Sequence, residues 1–253
     1  MKKTLLALIT ISIIPTTVLA NESKNGVYIS AKMGASIQQM SGQFFPTFYI
    51  LEVGDEEEKF AQKLKGNNHR TAVFGAGFAL GYDFYENFNI PIRTELDFTT
   101  RGDTDDSYSG NDVVGFPGET FVKNQIDLNT LMLNAYYDFK NSSNFTPYLS
   151  AGLGYAYISQ KTSVDFMVIN PSTGDKSDKF HLWTRSHATN NFAWSAGAGI
   201  KYTVNKDFSF DLNYKYLNAG QGLVSNSNDF ESKRDVKTTL KTHDIMLSAT
   251  YHF

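Results

Sequence analysis

The chain has 253 residues, with 23 Lys plus Arg against 26 Asp plus Glu, a formal net charge of −3 and no cysteine. The missing thiols exclude disulfides, thiol catalysis, cysteine-held metal and a lipoprotein anchor, and the acidic balance argues against nucleic acid, which would select a basic stripe. The 20 Phe, 14 Tyr and 19 Gly, beside a negative mean hydropathy, suit alternating strands with polar loops better than a helical bundle.

Met1-Lys2-Lys3, the apolar run Leu5 to Ile14 and Val18-Leu19-Ala20 predict a secretory signal peptide over 1–20, leaving 21–253 as one domain. The apolar core is too short for a spanning anchor, and Pro15 interrupts it. No later run is long and apolar enough for a spanning helix.

From Gly26 to Ile37, Val27, Ile29, Ala31 and Met33 share one face, and Tyr28, Ser30 and Lys32 the other. This period of two is that of a strand. A long polar stretch, about 38–70, leads to a second strand with Phe74, Phe78, Leu80, Tyr82 and Phe84 in step. After the short turn 86–89, Ile92, Leu96 and Phe98 alternate with Arg93, Glu95 and Asp97. A second polar stretch, about 102–124, precedes Leu131, Leu133, Ala135, Tyr137 and Phe139. The turn 140–144 opens a fifth strand carrying Leu149, Ala151, Leu153 and Tyr155. The stretch 159–189 follows, then Phe192, Trp194, Ala196, Ala198, Ile200 and Tyr202, and the turn 205–207. Phe208, Phe210, Leu212, Tyr214 and Tyr216 mark the seventh strand, and a fourth stretch, about 217–239, leads to the eighth.

The connections thus run long-short-long-short-long-short-long. That order predicts an all-β fold: an eight-stranded antiparallel up-and-down transmembrane β-barrel with four long surface loops and three short periplasmic turns. Closure would bond every backbone group and leave no edge in lipid. Tyr82, Phe84, Tyr137, Phe139, Phe145, Tyr202, Phe208, Tyr251 and Phe253 gather beside the short turns, as an interfacial girdle requires. The last strand alternates Ile245, Leu247, Ala249, Tyr251 and Phe253 against Asp244, Ser248, Thr250 and His252, with Met246 the apolar intruder. Leu247, Ala249, Tyr251 and Phe253 are expected to form the signal read by the barrel assembly machinery.

Three stretches resemble the neisserial opacity proteins and related surface antigens: NAYYDFKNSSNFTPYLSAGLGYAY (134–157), DLNYKYL (211–217) and KTHDIMLSATYHF (241–253). The resemblance covers most strands and none of the long loops. It implies an eight-stranded outer-membrane barrel whose exposed loops bind host-cell receptors. Because those loops are not shared, it names no receptor. The expected partners are outer-membrane lipid and lipopolysaccharide, the assembly machinery and a host-cell surface receptor. Candidate receptor contacts are the loop aromatics Phe44, Phe45, Phe48, Tyr49, Phe116, Phe121 and Trp183, which are costly in a merely solvated loop.

Lys32, Arg93, Glu95, Asp97, Asp138, Lys201, Asp211, Lys215 and Asp244 fall on the inward face. An eight-stranded lumen is just wide enough to be filled by side chains, and buried charges must balance. These residues are therefore expected to form an ion-pair network rather than an acid–base site. Two other functions compete with the adhesin. One is a narrow pore or structural barrel. The other is a lipid-A-modifying enzyme with His243 as base. Deacylases of that kind resemble one another in a His-x-Ser pair, and Ile245 stands where the serine would be. The acidic runs 55–58 and 103–112 lack the spacing of a calcium loop. No enzyme activity, metal or cofactor is expected.

Overall fold

The computed structural model describes residues 25–53, 56–111, 117–225 and 235–253. The expected signal peptide, 1–20, lies outside them, as do Phe116 and the side chains of Phe48 and Tyr49. Ten strands are described: β1 (Val27–Val53), β2 (Glu56–Lys65), β3 (His69–Asp83), β4 (Ile92–Arg101), β5 (Thr104–Asn111), β6 (Gly118–Asp138), β7 (Phe145–Val168), β8 (Phe180–Thr203), β9 (Phe208–Ser225) and β10 (Asp235–His252). One helical turn, α1 (Tyr85–Phe88), joins β3 to β4, and Asn89 ends it in the left-handed region at φ 54°.

Eight of these strands close a ring in the order β1–β3–β4–β6–β7–β8–β9–β10–β1, every pair antiparallel. Following register partners once around, from Gln39 through Lys241, Asn218, Trp194, Leu153, Leu133, Leu96 and Leu80, returns to β1 at Ile29, ten residues away. That stagger tilts the strands by roughly 35–45°. The two further strands sit above the ring. β2 pairs with the outer part of β1, and β5 with the outer part of β6. Among the described residues no ladder joins β2 to β5.

At membrane depth the outward face is apolar and exposed, as at Ile29, Met33, Phe74, Leu96, Leu133, Leu153, Leu212 and Leu247. A lipid-facing wall shows this pattern. At its lower edge rings pair across neighbouring strands, Phe145 with Tyr202 at 4.8 Å and Phe208 with Tyr251 at 5.1 Å, and along β10, where Tyr251 meets Phe253 at 5.1 Å.

The four long polar stretches are largely strand, and this corrects the expectation of loops. β1, β6, β7, β8, β9 and β10 all run on past the membrane. There the apolar side chains move to the inward face, with bulges shifting the alternation on β1 and β9: Met40, Val122, Ile126, Leu128, Ile158, Val164, Leu217, Val224, Val236 and Leu240 point inward and are buried. Outside the bilayer the wall stands in water, so the apolar side chains turn to the interior. Sequence patterning that follows one apolar face loses such a strand where its surroundings change.

Phe253 closes the ring: its N–H donates to the Val27 carbonyl at 3.0 Å, beyond the last register pair of β1 and β10. Deleting Phe253 should lower the heat-modifiable folded form in outer-membrane fractions, read by gel shift. An unchanged yield would show that this closure is dispensable.

Candidate functional site

The lower lumen is filled by charge. Alternation on β4 sends Arg93, Glu95, Asp97, Thr99 and Arg101 inward, all buried. Near the turns, Arg93 Nε donates to Asp138 Oδ2 at 3.0 Å, and its guanidinium lies over the edge-packed pair of Tyr136 and Tyr148 rings at 4.8 and 5.0 Å. Asp211 is 3.9 Å from Arg93. Lys201 meets Asp138 at 3.3 Å and Asp83 at 3.7 Å, and Lys140 reaches both from the turn at 3.5 and 3.9 Å. The inward tyrosines fit because Gly81 and Gly199 face them: a Cβ on either would collide with the Tyr28 or the Tyr148 ring.

At mid-height Lys32 donates to Asp97 at 2.6 Å, and Lys215 to the same oxygen at 3.2 Å. Glu95 lies 3.8 Å from Lys32 and accepts from the Tyr136 hydroxyl at 2.6 Å. Higher still, Arg101 donates to Asp244 at 2.6 Å, while Ser36 donates to the other carboxylate oxygen at 2.6 Å. Every residue of the sequence-derived lumen set therefore lies in one of these layers. Arg101 and Asp83 were absent from that set. Both carry the signal that would have found them, since each lies in period-two register with inward neighbours on its own strand.

Two small voids of about 10 Å³ each lie among these layers, beside Lys215 and beside Arg93. Each has room for about one water molecule. The periplasmic mouth is a cavity of about 690 Å³ lined by Asp83, Lys140, Lys201 and His252. It ends at the Lys201–Asp138 layer. Above the ions an apolar layer of Met40, Ile126, Leu128, Met132, Ile158, Leu217 and Leu240 crosses the interior. Then come Gln43, Asn124, Gln160 and Thr162 in one hydrogen-bonded group, and a second apolar cluster around Val122, Val164, Val224 and Val236.

Phe45 belongs to that second cluster and is buried, with Trp183 packed against it at a ring separation of 6.0 Å. This corrects its expected exposure as a receptor contact: the bulge between Ser41 and Phe44, where Gly42 takes φ 62°, shifts the alternation of β1 by one and turns Phe45 inward. Phe44 is half-buried, in register with Lys65 and Lys237. Phe121 is half-buried beneath the Lys179 ammonium at 3.5 Å.

The apolar groups offered to solvent lie elsewhere. At the end of the β7–β8 hairpin Phe180 is 52% and Leu182 50% exposed, with Val168 beside them. Leu182 is the extra residue of a β-bulge, since Val164 pairs with Trp183 and Asp165 with His181. Bulges re-aim side chains in this way. Phe180 stands twelve residues, roughly 40 Å of strand, beyond the lipid-facing Phe192. A groove of about 600 Å³ next to it is lined by Pro117, Phe166, Val168, Ile169, Asn170 and Pro171. On the same hairpin Asp165 holds His181 at 2.7 Å, and Thr184 lies 3.1 Å from the other ring nitrogen. A hydrolase uses that order of groups. Here it lies on an open face and, with Ser163 bonded to Thr184 at 2.9 Å, ties the two strands together.

His243 sits on the outer wall at the upper girdle. Its Nδ1 is 2.7 Å from the Tyr214 hydroxyl, and its ring is 5.4 Å from Tyr216, which in turn lies 5.4 Å from Trp194. On the opposite side of the rim Asp103 hydrogen-bonds Asp127. That bond, with burial, pushes the Asp127 carboxyl up to about 6, while it holds Asp103 below the ordinary range.

Residues 4–253 match the family described as Outer membrane protein beta-barrel domain. Outer membrane protein PagN of Salmonella typhimurium is 39% identical over 236 residues, covering 91% of each chain. Opacity protein V28 of Neisseria gonorrhoeae is 24% identical over 136 residues, 50% of this chain and 53% of that one. Among solved structures, neisserial surface protein A aligns over 92% of this chain and all of its own, at 16% identity and a TM-score of 0.47.

Replacing Arg101 by Met strands the buried Asp244 carboxylate and should cost about 3–5 kcal/mol, measured by denaturant unfolding in vesicles. Adding Asp244→Leu should recover most of the loss; a double variant as weak as the single one would show that the pair is not the cause. At the rim, the raised Asp127 contributes stability that is present below the ordinary carboxylate range and lost as pH rises through about 6. Asp103→Asn should return Asp127 toward that ordinary range, read from its carboxyl carbon-13 shift.

Proposed function

Because the chain belongs to the outer membrane protein β-barrel family, we propose that it is a bacterial surface protein of adhesin type, in which the barrel is a scaffold and the β7–β8 hairpin meets the host cell. The observation that carries this is the pair Phe180 and Leu182, held in water roughly 40 Å of strand beyond the lipid-facing wall. Exposed apolar side chains gathered at one place mark recognition surfaces, and a few such anchors supply most of an interface's energy. The adjoining groove of Pro117, Phe166 and Ile169 offers a pocket for a partner's apolar group. Because ladder and bulge fix the anchors, little ordering remains to be done on binding. Phe121 under Lys179 stands on neighbouring strands and widens the surface.

The filled lumen supports a scaffold over a pore: ionic layers, an apolar layer and a second apolar cluster succeed one another up the axis. The bonded, ring-packed setting of His243 supports a girdle residue over a catalytic base. The resemblance to opacity proteins supports a host-cell receptor as the partner.

Phe180→Ser with Leu182→Ser should reduce attachment of expressing bacteria to host cells by about tenfold or more. Folding should be unaffected, because both side chains are exposed. Attachment equal to that of the unaltered protein would defeat this assignment. His243→Ala should leave the lipid A acylation pattern unchanged in mass spectra, and a shifted pattern would favour the enzyme instead.

A further inference from the structure

A row of register partners climbs the wall from the upper girdle at Trp194 to β3. It runs Trp194, Asn218, Lys241, Gln39, Arg70 over β8, β9, β10, β1 and β3. Lys241, Gln39 and Arg70 share the outward face with the lipid-facing residues lower on the same strands, such as Leu247, Ile37 and Phe74. Neighbouring strands lie about 4.8 Å apart, so the two cations are roughly 10 Å apart at their Cα atoms with one amide side chain between. Two long basic side chains can close on a single tetrahedral anion across that distance. Among the described residues neither Arg70 nor Lys241 has a carboxylate partner, whereas the buried cations of this chain all do. The nearby rim acids are engaged with other groups: Asp103 with Asp127 and Gln125, Asp105 with Lys123, and Asp106 with Gln43 and His69.

The level of the row tells what lies beside it. Two residues below Lys241 on β10 is His243, fixed by Tyr214 and packed on Tyr216. Such amphipathic rings sit where acyl chains give way to headgroups. Ile37, in register with His243, and Phe74 and Ile245 below them are apolar and exposed. An anion held by Arg70 and Lys241 would therefore carry acyl chains that run down an apolar wall. A cation pair at headgroup height, next to an aromatic shelf and without counter-charge, fits a phosphorylated lipid.

We propose that Arg70, Gln39 and Lys241 form a binding site for the phosphate of an outer-leaflet glycolipid, that is, of lipid A. The site faces the bilayer and is separate from the hairpin surface assigned to host recognition. It anchors the β1–β3–β10 side of the wall against the leaflet and fixes the height at which the hairpins stand.

Trp194 lies in the same row and reports on the site once Trp183 is replaced by Phe. The full-length folded chain, in phosphatidylcholine bilayers free of lipopolysaccharide, is titrated with bisphosphorylated lipid A while Trp194 fluorescence is followed. Arg70→Gln with Lys241→Gln should raise the half-saturating lipid A concentration by about tenfold. Lys123→Gln with Lys161→Gln, elsewhere on the outer wall, should leave it unchanged, and both variants should keep the gel shift of the folded barrel. The site would be overturned by an unchanged titration in the Arg70/Lys241 variant, or by an equal loss in the Lys123/Lys161 variant. Dephosphorylated lipid A binding as tightly as the phosphorylated form would overturn the phosphate. Saturation by phosphatidylglycerol or by inorganic phosphate at the same concentrations would overturn the glycolipid.

Discussion

A backbone amide at membrane depth has no water to turn to, so each one must be bonded within the wall. The ladder between β1 and β10, running from Tyr28 opposite His252 to Phe44 opposite Lys237, satisfies the last row of them and turns a sheet into a tube. Everything else in the molecule follows from that closure. With eight strands and a stagger of ten residues the tube is narrow. The inward half of each strand then has to fill its own interior.

At membrane depth it fills it largely with charge. Arg93, Lys32, Lys215, Lys201 and Arg101 each meet a carboxylate from another strand, so the pairs run across the bore rather than along one edge. Such pairs add little net stability, because desolvation offsets most of the attraction. Their effect is on register. A slip of one residue would turn every inward side chain of a strand to the other face. On β4 it would send Arg93, Glu95, Asp97 and Arg101 into lipid together, whereas an apolar interior would penalise the same slip far less.

Beyond the membrane the same strands continue in water with the opposite preference. Leu240 and Val236 point inward above Met246, while Ile245 and Leu247 on the same strand face lipid. The apolar layers that result seal the tube and stiffen the hairpins above it. On that stiff base a single bulge opposite Val164 is enough to turn Leu182 outward beside Phe180. Recognition is thereby placed on paired strands rather than on an unpaired loop, and lipid contact is placed a full strand-length lower, at Lys241 and Arg70.

The sequence by itself determined the membrane part of the barrel. A lipid solvent outside and a packed polar bore inside impose a strict period of two, and that period is local. It was enough to place the eight ring strands, the short turns, the aromatic edge and the inward set from Lys32 to Asp244. Which cation meets which carboxylate was decided only by the tertiary structure, because the partners lie on different strands and their pairing depends on stagger. Arg101 opposite Asp244 is the clearest case, the two being separated by 143 positions in the chain. The outer half was decided there as well. A strand passing from lipid into water exchanges its apolar face, on β1 and β9 with a bulge as well, so its pattern imitates a polar loop until the walls around it show which side is the interior.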